Sequence, residues 1–528
     1  MASPSELPSL GEDWTYQSLL PFVHSTPYVL LTFMVIIVVY AWSSADSSLK
    51  DMPLVNAASF LSKNQAKQNY RKSGRAFLQN ARRQYPNQPY RMITDYGEVV
   101  ILPSEFLDEI RNEPKVSFSG GIEQDGIVHI PGFEPFAQIS GDSQLLQTVA
   151  KKQLTHFLSK VTEPLCEEAA RAISLNMGES REWREMTLKP AILDIIARMS
   201  SRVFLGDELC QNKDWLEITK EYTVNLGAAL FEIAAYPVAL RKYVHWFLPL
   251  CTTLRAKKTR ATEVIAPVIA KRAEVRRTAL AAGEKVPYFN DALDWIDQEA
   301  KDKNVKYDPA AVQLLLSFVA IHTSGDLLGQ VMLDITEHPE IIPQVREEIV
   351  NVLRASGWKK TSLYNMKLLD SLIKESQRRK PIGAALIRRS VTEDLKLSNG
   401  LVLKKGMRIH VDMSRMQDPQ VYENPEEWDP ERFLKMRSQP GKEHMAQLVA
   451  TSGDQFAFGH GEHACPGRFF ASNELKVALC HLLMKYDWKL APGTDVKPLM
   501  RGFSMLSSPT AKVLVQRREQ VELDIDSI

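Results

Sequence analysis

Phe456-Ala-Phe-Gly-His-Gly-Glu-His-Ala-Cys465-Pro-Gly-Arg-Phe-Phe-Ala471 places a single cysteine between a glycine-punctuated loop and the start of a helix. Gly459, Gly461 and Gly467 give a backbone that can take angles closed to other residues and lie flat against a bulky planar partner. Beyond the cysteine, Leu475, Ala478, Leu479, Leu482 and Leu483 recur at the spacing of one helix face. Cys465 therefore falls at a helix N-terminus, where free N–H groups and the dipole favour a thiolate. A thiolate held there suits an axial bond to an iron whose macrocycle rests across the glycines. Two plainer readings stay open on this stretch alone. Cys465 can be a small buried residue, or it can join His460 and His463 in a zinc site, with Cys480 or His481 as fourth ligand.

The chain has 528 residues, 44% of them hydrophobic, with 65 basic against 64 acidic side chains. A net charge of +1 gives no electrostatic footprint for nucleic acid. Five scattered cysteines, Cys166, Cys210, Cys251, Cys465 and Cys480, argue against a disulfide framework and for a reducing compartment. No linker, charge block or repeat divides the chain after its N-terminal segment. That segment carries an uncharged, largely apolar run from Thr26 to Ser43, near the lower limit of about 17 residues for a membrane span. Acidic residues precede it, and Lys50, Lys63, Lys67, Arg71, Lys72 and Arg75 follow. The expectation is a retained signal anchor over 26–44, a lumenal tail over 1–25 and a cytoplasmic domain over 45–528.

Further along, Pro89–Thr94 and Glu98–Leu102 bracket Asp95-Tyr96-Gly97 as a β-hairpin. The patterning from Gln144 to about Leu280 is mostly helical, with Leu188, Ile192, Ile195, Ile196 and Met199 on one buried face. Trp215–Leu254 is rich in apolar and aromatic residues, either ordinary core or a lid over a lipophilic cavity. A polar stretch, Ala281–Tyr307, leads to Asp308-Pro309, an N-cap with proline at the first helical position. The helix it opens is predicted to run to about His338 and to be buried. Within it lie His322, Thr323 and Ser324, three polar side chains that need partners; Thr323 can return its hydroxyl to the carbonyl of Val319. In a later helix Glu375 takes a place in the apolar row, with Arg378 one turn on. Buried there, the pair needs a further partner, for which Arg432 in Trp428-Asp-Pro-Glu-Arg-Phe433 is the candidate.

Together, Thr323 on a long buried helix, Glu375-x-x-Arg378, Pro430-Glu-Arg-Phe433 and Phe458-x-x-Gly461-x-His463-x-Cys465-x-Gly467 resemble the cytochrome P450 family. The resemblance spans essentially the whole chain. Ala-Cys-Pro-Gly-Arg-Phe-Phe-Ala-Ser-Asn-Glu, Lys-Glu-Ser-Gln-Arg and Ile-His-Thr are similar to the fungal secondary-metabolism branch that contains ent-kaurene oxidases. The resemblance implies a mainly α fold with a long central helix, small β-sheets and an N-terminal membrane helix. It implies heme b (iron protoporphyrin IX) ligated by Cys465, with Phe458 packed beside the thiolate and Gly461 and Gly467 shaping the loop. Lys151, Lys152 and Arg389 fall near positions that reach the heme propionates, and His463 stands where the family usually has an arginine. Glu375, Arg378 and Arg432 would form a structural network behind the heme.

Thr323 would guide protons, with His322 in a place usually held by an acid and Ser324 assisting. The implied activity is monooxygenation of a hydrophobic small molecule, a terpenoid first and a polyketide or indole-derived scaffold second. Electrons would come from NADPH through a separate reductase at the endoplasmic reticulum membrane. An oxygen-independent isomerase or dehydratase on the same fold, and a non-catalytic zinc-binding membrane protein, are the alternatives.

Overall fold

The computed structural model describes Tyr28 and residues 31–35, 52–56, 63–140, 144–155 and 157–528. It divides into two compact units, Met1–Pro53 and Leu54–Ile528. In the first, residues 31–35 are helical and the Thr32 hydroxyl donates to the carbonyl of Tyr28 at 2.7 Å. The rest of the expected anchor and the lumenal tail lie outside the described residues.

The second unit is built around the helix Pro309–Glu337. The Asp308 carboxylate accepts from the N–H of Ala311 at 3.1 Å, Pro309 opens the first turn, and His338 closes the helix before Pro339. The helix is long and apolar enough to cross a membrane, yet most of it is buried in the core. Leu188–Leu205 packs along it, and Leu158–Met177, Lys213–Ala234 and Arg468–Lys485 complete the surrounding bundle. Leu188, Ile192, Ile195, Ile196 and Met199 all face that core.

Among the described residues, four small sheets flank the helices. Tyr90–Thr94 and Gly97–Leu102 form the expected hairpin, with Thr94 opposite Gly97. Gly97–Leu102 runs parallel to Arg408–Asp412, which pairs antiparallel with Ala385–Val391. A three-stranded sheet places Lys512–Arg517 between Arg184–Thr187 and Tyr486–Leu490.

Two elements were not foreseen from the sequence. The strand Arg184–Thr187 lies within the region read as mostly helical, and its partner Lys512–Arg517, more than 300 residues away, leaves no local signal. The polar stretch before the central helix contains the helix Ala292–Asp302. Leu293, Trp295, Ile296 and Ala300 supply its buried side together with Asp294 and Glu299, and those interleaved charges mask the short apolar face.

Candidate active site

The cysteine loop is shaped by backbone geometry before any side chain acts. Gly459 and Gly461 have φ of 72° and 80°, in the left-handed region that favours glycine. At Gly461 a Cβ would also collide with the Asn112 side chain. Gly467 differs from the expectation, since its φ of −85° is open to any residue. A Cβ there would stand 4.0 Å from the Cys465 sulfur, an ordinary contact, so within the chain itself neither angle nor space requires glycine at this position. The loop closes with the Cys465 N–H donating to Phe458 O at 2.7 Å and the Gly459 N–H to Phe456 O at 2.8 Å. The helix Arg468–Lys485 starts directly after Gly467.

Cys465 is half-buried, as are Phe458 and Gly467 beside it. Burial pushes the free thiol above its ordinary pKa, outweighing the N–H groups of Gly467 and Arg468 and the Arg468 guanidinium that oppose it. The helix N-terminus therefore does not by itself make a thiolate here. A bound cation would supply the missing compensation. The Arg468 guanidinium holds the loop in place, with Nη1 donating to Cys465 O at 2.8 Å and Nε to Val449 O at 3.1 Å.

One flank of the loop gathers positive charge. His463 stacks on Phe118 with ring centroids 6.4 Å apart, and the Arg389 guanidinium lies 5.5 Å from the same ring. Lys151 Nζ donates to Glu462 O at 3.2 Å. Partial burial of the ring, then the charges of Arg389 and Lys151, hold His463 below its ordinary pKa. Arg389 is buried, its Nε has no hydrogen-bond partner, and burial lowers its pKa to about 10. A buried, under-satisfied guanidinium beside a lysine and a histidine is a set of donors that fits the carboxylates of a heme. Lys152 does not join it: its Nζ points toward Glu299 at 3.9 Å and its side chain is largely exposed.

The central helix separates its three polar residues by direction. Thr323 lies on an open stripe with Val319, which is 43% exposed although it sits mid-way along a buried helix. Its hydroxyl donates to Val319 O at 2.6 Å, the back-bond predicted from the sequence. Phe318, half-buried at the edge of the stripe, meets Phe136 edge-on at 5.9 Å. His322 turns sideways instead, toward the backbone of Lys220 and the Lys189–Asp326 ion pair. Burial first, and Lys189 second, lower its pKa, and its Nε2 has no hydrogen-bond partner.

Ser324, expected to assist Thr323, instead faces Glu474 on the cysteine helix. Ser200 donates to that carboxyl at 2.5 Å, and complete burial raises Glu474 to about 8. Sequence reasoning left Glu474 unassigned; its signal was a carboxyl immediately before the apolar series that begins at Leu475.

Behind the loop, Glu375 and Arg378 are fully buried. Two hydrogen bonds of 2.8 Å join Arg378 Nε and Nη2 to the Glu375 carboxylate. Arg378 also donates to Met416 O at 2.7 Å and Pro425 O at 2.6 Å. Arg432 Nε stands 3.1 Å from Glu375 Oε1, and its Nη1 donates to Glu423 O at 2.6 Å. The three residues thus meet and pin the irregular segment around 416–432.

The residues named for a zinc site do not converge. His460 bonds Thr451 at 2.9 Å and Arg111 at 2.8 Å, Cys480 contacts the Met366 sulfur, and His481 stacks on Trp358. Among the described residues no group of three or more His, Cys, Asp or Glu is placed to hold a metal ion. A single thiol beside a flat glycine loop, an open helical stripe and an under-satisfied guanidinium fit a heme.

Comparison with known proteins agrees with this geometry. Residues 123–516 match the family described as cytochrome P450. The chain is 44% identical to the cytochrome P450 monooxygenase hepE of Aspergillus oryzae over 96% of its own length and 93% of that protein. It is 45% identical to cytochrome P450 monooxygenase 2 of Gibberella fujikuroi over 90% and 91% of the two chains. The solved structure of retinoic acid bound cyanobacterial CYP120A1 superposes with a TM-score of 0.60 at 20% identity. That match covers 86% of this chain and 96% of the other.

Proposed function

The chain belongs to the cytochrome P450 family as a monooxygenase of its fungal secondary-metabolism branch, and from that premise we propose that it oxidises a lipophilic small molecule, a terpenoid intermediate. Electrons would reach it from NADPH through a separate membrane-bound reductase. The observation that carries this reading is the open stripe of Val319 and Thr323 on an otherwise buried helix. It offers an apolar surface with one hydroxyl.

The heme, when bound, supplies oxygen activation and the oxidising power for a C–H bond. This chain's residues supply the rest. Cys465 gives the thiolate, and Arg468 fixes its backbone carbonyl. Arg389, Lys151 and His463 would hold the propionates. Thr323 keeps its proton on Val319 O and leaves its lone pairs free to accept another. His322, turned toward the Lys220 backbone and held below its ordinary pKa by burial, stands beside that turn and outside the stripe. Phe136 and Phe318 present apolar edges that orient a substrate without hydrogen bonds. Exposed Tyr243, Trp246 and Phe247 favour access from a membrane at the endoplasmic reticulum.

The test is turnover of candidate terpenes by the protein with a reductase and NADPH under isotopically labelled dioxygen. One labelled oxygen atom in the product is expected. Turnover that proceeds without oxygen or reductant would reject monooxygenation of that substrate.

A further inference from the structure

The helix Lys367–Arg379 carries a second buried basic group that the Glu375–Arg378–Arg432 network does not use, Lys374, which burial lowers to a pKa of about 7. Lys374 is 1% exposed. Its Nζ donates to three backbone carbonyls, Gln447 at 2.6 Å, Met445 at 2.8 Å and Ala450 at 3.3 Å. The same nitrogen lies 4.9 Å from the centre of the Phe433 ring. Among the described residues no ion pair within 4 Å joins Lys374 to a carboxylate, so the three carbonyls and the ring face are its direct partners, with the charge of Asp370 one turn away as further compensation. An ammonium has three N–H donors and no acceptor, and this site presents three acceptors. Burying a charge in this way is costly unless every donor is used.

The loop it grips is tied to the cysteine. Asp370, one turn earlier on the same helix, accepts from the N–H of Leu448 at 2.8 Å and pairs with Lys476 of the cysteine helix at 2.5 Å. Val449, between the gripped carbonyls, accepts from Arg468 Nε, and the other branch of that guanidinium holds Cys465 O. We propose that Lys374 is a positioning residue for the heme thiolate: clamping Met445, Gln447 and Ala450 fixes Val449, which seats Arg468, which sets the Cys465 backbone. The proposal rests on Cys465 being the heme ligand and adds a residue outside the ligand loop that governs it.

The experiment compares the full chain with Lys374→Met, Lys374→Gln and Lys374→Arg. Two measurements are made: the rate at which the reduced, carbon-monoxide-bound protein loses its thiolate-type Soret band, and hydrogen exchange of peptides spanning 445–450 and 462–470 in heme-free protein. Lys374→Met should speed loss of the band by about tenfold or more, the factor expected for losing a buried hydrogen bond to a charged group. Exchange should rise in both peptides together. Lys374→Arg, which keeps the charge, should restore much of the band's lifetime.

Should the methionine variant not fold, Lys374→Gln carries the same comparison, since it keeps two donors. A folded variant with faster exchange at 445–450 alone and an unchanged band lifetime would overturn the proposal and leave Lys374 a fold-stabilising residue only. Absence of any thiolate band in the unsubstituted chain would be a different result, against the heme reading itself.

Discussion

At the scale of single residues, the proposed function assigns ligation and proton handling to different side chains. Cys465→Ala removes the only thiol in the loop, and the reduced, carbon-monoxide-treated variant should show no thiolate-type Soret band. Thr323→Ala removes a hydroxyl that packs against nothing but its own helix turn. It should leave heme content and melting temperature nearly unchanged while lowering product formation by about 10²-fold, the lower end of the range for a positioned proton-transfer group. Thr323→Ser should recover most of that loss, because it keeps the back-bond to Val319. The placement of Thr323 and Cys465 was readable from the sequence because each breaks a local rule, a hydroxyl in an apolar helix and a thiol after flexible glycines. The directions of His322 and Ser324 were not, because residues 100° apart on a helix look towards different neighbours. Only the packing of Lys213–Ala234 and Arg468–Lys485 decides what those neighbours are.

At the scale of elements, buried polar groups tie helices together. Glu474 joins the cysteine helix to Ser200 and Ser324 on two other helices. Its folded pKa, raised by burial to about 8 from 4.5, means that the folded protein keeps a proton which the unfolded chain releases. Between those two values the unfolded state binds fewer protons, so this group's contribution to stability falls as pH rises from about 4.5 towards 8. Glu474→Gln should flatten that slope, measured as melting temperature against pH, and should melt higher than the unsubstituted chain above pH 8. Glu375→Ala would strand the Arg378 and Arg432 guanidiniums without their carboxylate and should cost about 3–5 kcal/mol in chemical denaturation. The Glu375–Arg378 pair was legible because a carboxyl fell in an apolar row. Lys374, its neighbour in sequence, was not, since its carbonyl partners lie about seventy residues away in a segment without periodicity.

At the scale of the whole molecule, the central helix and the cysteine helix make a rigid frame, and the aromatic segment before Leu254 contributes an exposed apolar surface. Tyr243, Trp246 and Phe247 project 57–86% of their surface. A Trp246→Ser, Phe247→Ser chain lacking residues 1–44 should sediment with phospholipid vesicles less than the same truncated chain with both aromatics in place. The fold class could be read from four motifs spread along the chain, whereas the three-stranded sheet and the helix Ala292–Asp302 could not, one depending on distant pairing and the other on a short, charge-masked face.

The open stripe on the central helix carries one more consequence. Val319 occupies the middle of the protein yet is packed against no core, so shortening it leaves no cavity to collapse and none of the usual stability toll. Val319→Ala should therefore melt within a degree or two of the parent while redistributing the oxidised products. Such a position is free to drift: new chemistry can be sampled at the centre of the enzyme without first acquiring a compensating stabiliser elsewhere.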